Sequence, residues 1–250
     1  MTQNIIIHYP MPNRDYQAER REYQLAGLRR HQLTEDPYQQ FQNWMDEAFK
    51  ADILDPTAMT LATANKQGQP HARIVLLKSF DREGFVFYTH YSSEKGQDLE
   101  ENPLASLLFF WPQLDRQIRI EGWIEKISAK QSDDYFHSRP RDSQLSAYIS
   151  HQGEVVASRE DLEQRLQSAQ TEFENQTVPR PEHWGGYRLH ATWFEFWQGR
   201  PNRLHDRFCY APQTDTTENE ISTENPKFCQ NSQSCMGLKP QNWQIHRLSP

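Results

Sequence analysis

The sequence predicts a mainly β fold, a barrel or a sandwich, flanked by helices. Three observations predict it. Five runs rich in β-branched and aromatic residues, "TAMTLATA", "HARIVLLKSF", "GFVFYTHY", "LASLLFFW" and "RQIRIEGWIEKIS", follow one another between residues 57 and 128, separated by turn signals such as "NKQGQP", "DREG" and "ENP". A helical block follows, after which "WGGYRLHATWFEFWQG" and "NWQIHRLSP" return to β-type composition. With 13 Phe, 10 Tyr and 7 Trp among 250 residues, the chain has the apolar surface for one large core.

Ahead of the β runs, "TEDPYQQFQNWMDEAFKADI" sets Tyr38, Phe41, Trp44, Met45, Ala48 and Phe49 at helical spacing behind Thr34 and Asp36, either of which can cap. An amphipathic helix is expected there. The five runs in succession are expected to form a meander. In the last of them Ile118, Ile120 and Ile124 share one face, while Gln117, Arg119, Glu121 and Glu125 share the other. "SAKQSDDYFHS", "RDSQLSAYISHQ" and "SREDLEQRLQSAQTEFENQ" read as helices covering the sheet, the third with Leu162, Leu166, Ala169 and Phe173 on one side. Residues 1–19 are expected as a mobile tail ahead of a single domain over 20–250. Within that domain residues 212–241 are polar and turn-rich, and read as a surface insertion in a hairpin.

A formal charge of -7 argues against a general electrostatic grip on nucleic acid or anionic membrane, while leaving room for local basic clusters that hold a small phosphate. The three cysteines, Cys209, Cys229 and Cys235, have neither the even count of a disulfide framework nor the spacing of a zinc site. Free thiols in a reducing compartment are expected. The three Ile near the N-terminus are too short a run for a signal peptide or a membrane span, so a cytoplasmic protein is expected. No GxGxxG, GxxxxGK[ST] or GxSxG motif occurs.

Four stretches carry candidate chemistry. In "HARIVLLKSF", alternation puts Arg73, Val75 and Leu77 on one face and Ile74, Leu76 and Lys78 on the other. Its two cations either reach solvent at the strand ends or receive the anionic ends of a flat ligand. "SSEKGQDLEENP" opens a helix with Lys95 in the first turn, beside Glu94. "YFHSRPRDSQ" crowds Arg139, Arg141 and Ser143 at a helix start that Asp142 or Ser143 can cap, which is either an anion site or an ordinary capped helix. In "RLHDRF", an extended chain would line Arg203, His205 and Arg207 along one face, with Leu204, Asp206 and Phe208 on the other. That separates His205 from Asp206, which excludes a hydrolytic pair and leaves Asp206 a structural role.

Taken in order, "RREY" (20–23), "DPTAM" (55–59), "RIVLLK" (73–78), "FYT" (87–89), "YFHSRPRDSQ" (135–144), "HWGGYR" (183–188), "EFWQG" (195–199) and "RLHDRF" (203–208) resemble the pyridoxamine 5'-phosphate oxidase family. The resemblance implies a homodimeric, FMN-binding split β-barrel with FMN at the subunit interface. It implies oxidation of pyridoxamine 5'-phosphate or pyridoxine 5'-phosphate to pyridoxal 5'-phosphate, with hydride transfer to the flavin and reoxidation by molecular oxygen to give hydrogen peroxide. By matching positions, FMN would meet Arg73, Ile74, Val75, Leu76, Leu77, Lys78, Tyr88, Thr89, Lys95, Gln117, Gln152, Trp197 and Arg207. Substrate would meet Lys78, Tyr135, Arg139 and Ser143 at its phosphate, and Arg203 and His205, the expected catalytic pair, around its ring. Arg20, Arg21, Glu22 and Tyr23 would fold over it. Two positions depart from the family pattern near the expected flavin: Glu94 where a basic residue is common, and Gly153 where a serine is. A related split-barrel flavin reductase, or a non-catalytic protein binding flavin or pyridoxal phosphate, is the alternative.

Overall fold

The computed structural model describes residues 15–18, 22–23, 27–213 and 236–250. Most of the expected tail, Arg20, Arg21, Cys229 and Cys235 lie outside the described residues.

Helix α1 (Pro37–Lys50) begins where the Asp36 carboxylate accepts the Tyr38 N–H at 2.9 Å and Pro37 takes the first helical position. Asp36, not Thr34, is the cap. Phe41, Trp44, Met45 and Ala48 are buried, Phe41 meeting the rings of Phe80, Phe85 and Phe109 and Trp44 that of Phe196. Phe49, expected on the same face, is 58% exposed, because it projects roughly a quarter turn from the centre of that stripe.

Six strands, not five, follow: β1 (Ala58–Ala64), β2 (Pro70–Leu76), β3 (Ser79–Asp81), β4 (Gly84–His90), β5 (Leu104–Trp111) and β6 (Arg116–Lys126), with α2 (Glu94–Glu101) between β4 and β5. The run "HARIVLLKSF" breaks at Leu77 and Lys78, whose N–H groups donate to Thr57 and Val86 carbonyls. Lys78 is therefore a corner residue rather than a strand residue. β7 (Trp184–Gln198), β8 (Asp206–Pro212) and β9 (Trp243–Leu248) complete one nine-stranded sheet. Its order is β2-β1-β5-β6-β7-β4-β3, with β8 pairing β7 and β9 pairing β8.

The expected meander is not formed. β1 and β2, β3 and β4, and β5 and β6 are paired neighbours in the chain, but β5 returns to β1 and β4 crosses to β7. The reason lies in β7, whose 15 residues follow β6 on one edge and divide the other edge between two strands. Its first part, Trp184 to Leu189, pairs with β4, and its last part, Phe194 to Gln198, pairs with β8. Between these parts the β6–β7 register shifts at Glu121/Gly122. A Cβ on Gly122 would collide with the His190 carbonyl, so this close approach needs glycine. One continuous sheet, split along β7, settles the choice between barrel and sandwich in favour of the barrel.

The inner face of the sheet and α1 enclose the main core, in which Leu61, Phe85, Phe87, Leu107, Phe109, Ile118, Ile120, Phe194 and Phe196 are fully buried. Ile118, Ile120 and Ile124 face inward as alternation requires. Helices α3 (Ala129–Ser138), α4 (Arg141–Ile149) and α5 (Arg159–Glu172) do not cover the whole sheet. They build a second core of Phe136, Leu145, Ala169, Phe173 and Val178 around Trp184, at the start of β7. Among the described residues no helix is long and apolar enough to cross a membrane.

Candidate active site

The residues singled out in the sequence fall into two groups, one at each end of β7. In the first, Thr89 on β4 lies opposite Gly185, α2 supplies Lys95, and the chain beyond α4 supplies Gln152. Lys95 is 8% exposed, and its ammonium donates to Gln152 Oε1 at 2.8 Å, Ser93 Oγ at 3.2 Å and Thr89 Oγ1 at 3.3 Å. All three acceptors are neutral. Burial and then the Arg73 charge lower the Lys95 pKa, with Glu94 opposing them.

Arg73 on β2 anchors Nη1 on Thr63 Oγ1 at 2.7 Å and the Leu61 carbonyl at 3.2 Å. Its buried Nη2 has no hydrogen-bond partner among the described residues. Asp98 underpins this arrangement, accepting from Thr63 Oγ1 at 2.6 Å and meeting His71 Nδ1 at 2.9 Å. Burial would raise the Asp98 pKa, but the bonds from Thr63 and His71 and the Arg73 charge hold it low. Glu94 is 68% exposed, with its carboxylate 3.6 Å from Arg73 Nη2 and 3.7 Å from His71 Nε2. Gly153 has φ +98°, a backbone state that resists the serine of the family pattern.

Two glycines bring the helices to this end of β7. A side chain on Gly185 would collide with the Tyr91 hydroxyl, and one on Gly186 with Ile127 and Tyr88. With no side chain at either position, α3 packs against β7, where Ser132 Oγ accepts the Gly186 N–H at 3.2 Å. Tyr135 then stacks on Tyr88 at 3.8 Å between ring centroids, and the Arg139 guanidinium lies 4.8 Å from the centre of the Trp184 ring. Arg139 Nη1 is buried and without a partner among the described residues. Burial lowers its pKa, against Tyr135.

Pro140 is the residue flanking α4, so neither Asp142 nor Ser143 caps it; Ser143 sits in the first turn, its N–H bonded to the Pro140 carbonyl at 2.9 Å. Arg141 does not join the cluster, because its guanidinium is tied to the Phe173 and Gln176 carbonyls. Lys78 is exposed at its corner, Ile74 and Leu76 are 64% and 41% exposed, and Val75 and Leu77 turn toward the core. A hollow of about 300 Å³, lined by Tyr88, Tyr135, Gln131 and Arg188 among others, opens beside the tyrosine stack.

In the second group, Gln117, Trp197 and Arg207 stand in one cross-strand row on β6, β7 and β8. Tyr23 meets Trp197 edge-on at 5.5 Å and His205 at 5.2 Å, and His205 lies 4.7 Å from Trp197. Gly199 makes room, since a Cβ there would press on the Tyr23 ring. Glu22 beside it is exposed. The buried Glu195 joins Arg207 Nε at 2.7 Å and Arg119 Nη2 at 2.8 Å. Burial would raise its pKa, but the two arginines keep it low.

The extended Arg-His-Arg face expected of "RLHDRF" is not formed. Pro201–Arg203 is a 3-10 turn in which Asn202 and Arg203 take φ of 57° and 60°, and β8 begins only at Asp206. Left-handed backbone at an arginine carries strain, held here by its surroundings. His205 Nδ1 accepts the Arg200 N–H at 3.1 Å. Burial and then the Arg203 charge lower the His205 pKa, favouring the neutral ring, and with Nδ1 accepting from Arg200 the neutral ring carries its proton on Nε2. Asp206 faces elsewhere, accepting from the Leu28 N–H at 2.9 Å and Arg247 Nη1 at 2.7 Å.

Sequence reasoning missed Trp184 under Arg139, and Glu195 between its arginines. A signal existed for Glu195: a lone carboxylate inside the aromatic run "TWFEFW" has to be paired. Among the described residues no group of three or more His, Cys, Asp or Glu side chains could hold a metal ion.

A family model described as pyridoxamine 5'-phosphate oxidase matches residues 45–172, and one described as the pyridoxine 5'-phosphate oxidase C-terminal dimerisation region matches residues 184–250. The chain belongs to the pyridoxamine 5'-phosphate oxidase family. Relatives in this family include pyridoxine/pyridoxamine 5'-phosphate oxidase 1 of Hydrogenovibrio crunogenus, 51% identical over 96% of this chain and 100% of that protein. The pyridoxine/pyridoxamine 5'-phosphate oxidase of a Nostoc species is 47% identical over 92% of this chain and 96% of its own. Among solved structures, PhzG from Burkholderia lata, in complex with tetrahydrophenazine-1-carboxylic acid, superposes with a TM-score of 0.73 at 26% identity, covering 87% of this chain and 94% of PhzG. The fold is the split barrel of the pyridoxamine 5'-phosphate oxidase family.

Proposed function

We propose that this chain oxidises pyridoxamine 5'-phosphate and pyridoxine 5'-phosphate to pyridoxal 5'-phosphate with FMN as cofactor, in the cytoplasm, at sites built between two copies of itself. The observation that carries this reading is the division of the candidate residues along β7. From Gly185 to Trp197 the strand runs about 40 Å at about 3.3 Å per residue, too far for one small ligand to reach from Thr89, which lies opposite Gly185, to Trp197 and Arg207 of the same chain. A two-fold dimer sets the first group of one copy against the second group of the other. The outward β2 face, with its exposed Ile74 and Leu76, and the matched dimerisation region support that pairing.

The side chains fit a phosphate-bearing flavin. Lys95 with only neutral acceptors, and Arg73 with a buried Nη2 that makes no hydrogen bond among the described residues, suit a phosphate dianion. Thr89, Gln152 and Tyr88 adjoin them, the "RIVLLK" strand offers an apolar edge, and Gln117, Trp197 and Arg207 come from the partner's second group. FMN, when bound, supplies the two-electron acceptor, which molecular oxygen returns to its oxidised state with release of hydrogen peroxide.

The remaining side chains hold the substrate. Arg139, with its free buried nitrogen, binds the substrate phosphate together with Lys78, Tyr135 and Ser143. Arg203 and His205 hold the pyridine ring, Arg203 nearer the reacting carbon and His205 donating from Nε2. Glu22 and Tyr23 close over the ring. No covalent nucleophile is needed, because the rate comes from orientation at near contact. Purified protein supplied with FMN and pyridoxamine 5'-phosphate should form pyridoxal 5'-phosphate and hydrogen peroxide in equal amounts. Yellow protein that forms neither would favour a reductase or a storage role, and an Arg203→Ala enzyme with unchanged turnover would remove Arg203 from the reaction.

A further inference from the structure

Arg73 is held rigidly on one side and left open on the other. Its Nη1 bonds Thr63, which bonds Asp98, which meets His71, so Thr63, Asp98 and His71 fix the guanidinium from behind. The opposite nitrogen, Nη2, has no hydrogen bond among the described residues; the nearest anions to it are Glu94 at 3.6 Å and Asp98 at 3.8 Å. Asp98 is buried and already engaged by Thr63 and His71. Glu94 faces Arg73 and His71 from outside: it is 68% exposed, at the first position of α2, and lies 3.6 Å from Arg73 Nη2 and 3.7 Å from His71 Nε2, beyond hydrogen-bond length. It is an exposed side chain resting on a fixed cation.

Resting on the flavin reading above, we propose that Glu94 is an internal counter-anion that competes with the FMN phosphate for Arg73 and thereby sets the affinity for the cofactor. The neighbouring Lys95 ammonium is turned away from Glu94 toward Thr89, Ser93 and Gln152, so the two adjacent residues act oppositely: Lys95 attracts the phosphate and Glu94 opposes it. The competition is specific to the phosphate. A flavin without one presents nothing for Glu94 to repel.

The test is a fluorescence titration of wild-type protein and Glu94→Gln with FMN and, separately, with riboflavin. A carboxylate within about 4 Å of a screened phosphate dianion corresponds to about tenfold in affinity. Glu94→Gln is expected to tighten FMN by about that factor, to leave riboflavin unchanged, and to lose its advantage as salt is raised. Equal FMN affinity in the two proteins, or a riboflavin shift as large as that for FMN, overturns the proposal while leaving the flavin reading intact. If neither protein binds FMN, the flavin reading falls and the proposal with it.

Discussion

The backbone N–H of Arg200 donates to Nδ1 of His205 at 3.1 Å, and this one bond decides which ring nitrogen His205 offers to a ligand. The Arg200 side chain in turn faces Asp206, whose carboxylate also holds Leu28 and Arg247. His205→Asn keeps an acceptor for Arg200 but places nothing at the Nε2 position. It should lower kcat/KM for pyridoxamine 5'-phosphate by about tenfold, the loss of one hydrogen bond in the transition state, with FMN binding little changed. Steady-state kinetics beside a flavin titration checks this, and an unaltered kcat/KM would take His205 out of the site.

Lys95 carries a buried charge among neutral oxygens, and the proposed function gives it a part in binding rather than in folding. Lys95→Met should weaken FMN by about 10- to 100-fold, the worth of a charge-assisted hydrogen bond. The same variant should melt no lower, and by this reasoning higher, than wild type without flavin. A lower melting temperature together with unchanged FMN affinity would show the lysine to be structural.

Phe41 joins α1 to the sheet through Phe80, Phe85 and Phe109 and is fully buried. Phe41→Ala should cost about 3–5 kcal/mol of stability, read by urea unfolding. Phe49→Ala, on the exposed side of the same helix, should cost well under about 1 kcal/mol. Similar losses at both positions would contradict the packing of α1.

Burial, then His183, Lys95, His151 and Arg139, push the His90 pKa down from 6.5 to about 4. Between those values the unfolded chain binds a proton that the folded chain does not. Stability from this group is therefore complete above 6.5 and is lost as pH falls toward about 4, by up to about 1.4 kcal/mol per pH unit. His90→Asn, which cannot titrate, should flatten that part of the melting-temperature profile. Parallel profiles for the two proteins would show that His90 does not titrate differently on folding.

The strands were legible because alternation is a local property: Ile118, Ile120 and Ile124 are buried as the pattern requires. Their partners were not, because whether β4 joins β5 or β7 depends on residues a hundred positions away. Local backbone exceptions also escaped notice. Nothing in "RIVLLK" announces the corner at Lys78, and nothing in "RLHDRF" announces the left-handed turn at Arg203. The candidate site residues could be named from long ordered motifs, but the separation of Thr89 from Trp197 and Arg207 along β7 could not, since it follows from which strands pair with which part of β7.

That division has a consequence for the gene as well as for the protein. With each site joining the two groups across a dimer, as proposed above, a chain damaged only in the Lys95 group and a chain damaged only in the His205 group would each build dimers with two broken sites. Expressed together, they would also form mixed dimers in which one site takes both lesions and the other takes none. Random assortment would restore about a quarter of wild-type activity, so two individually inactive alleles would rescue each other.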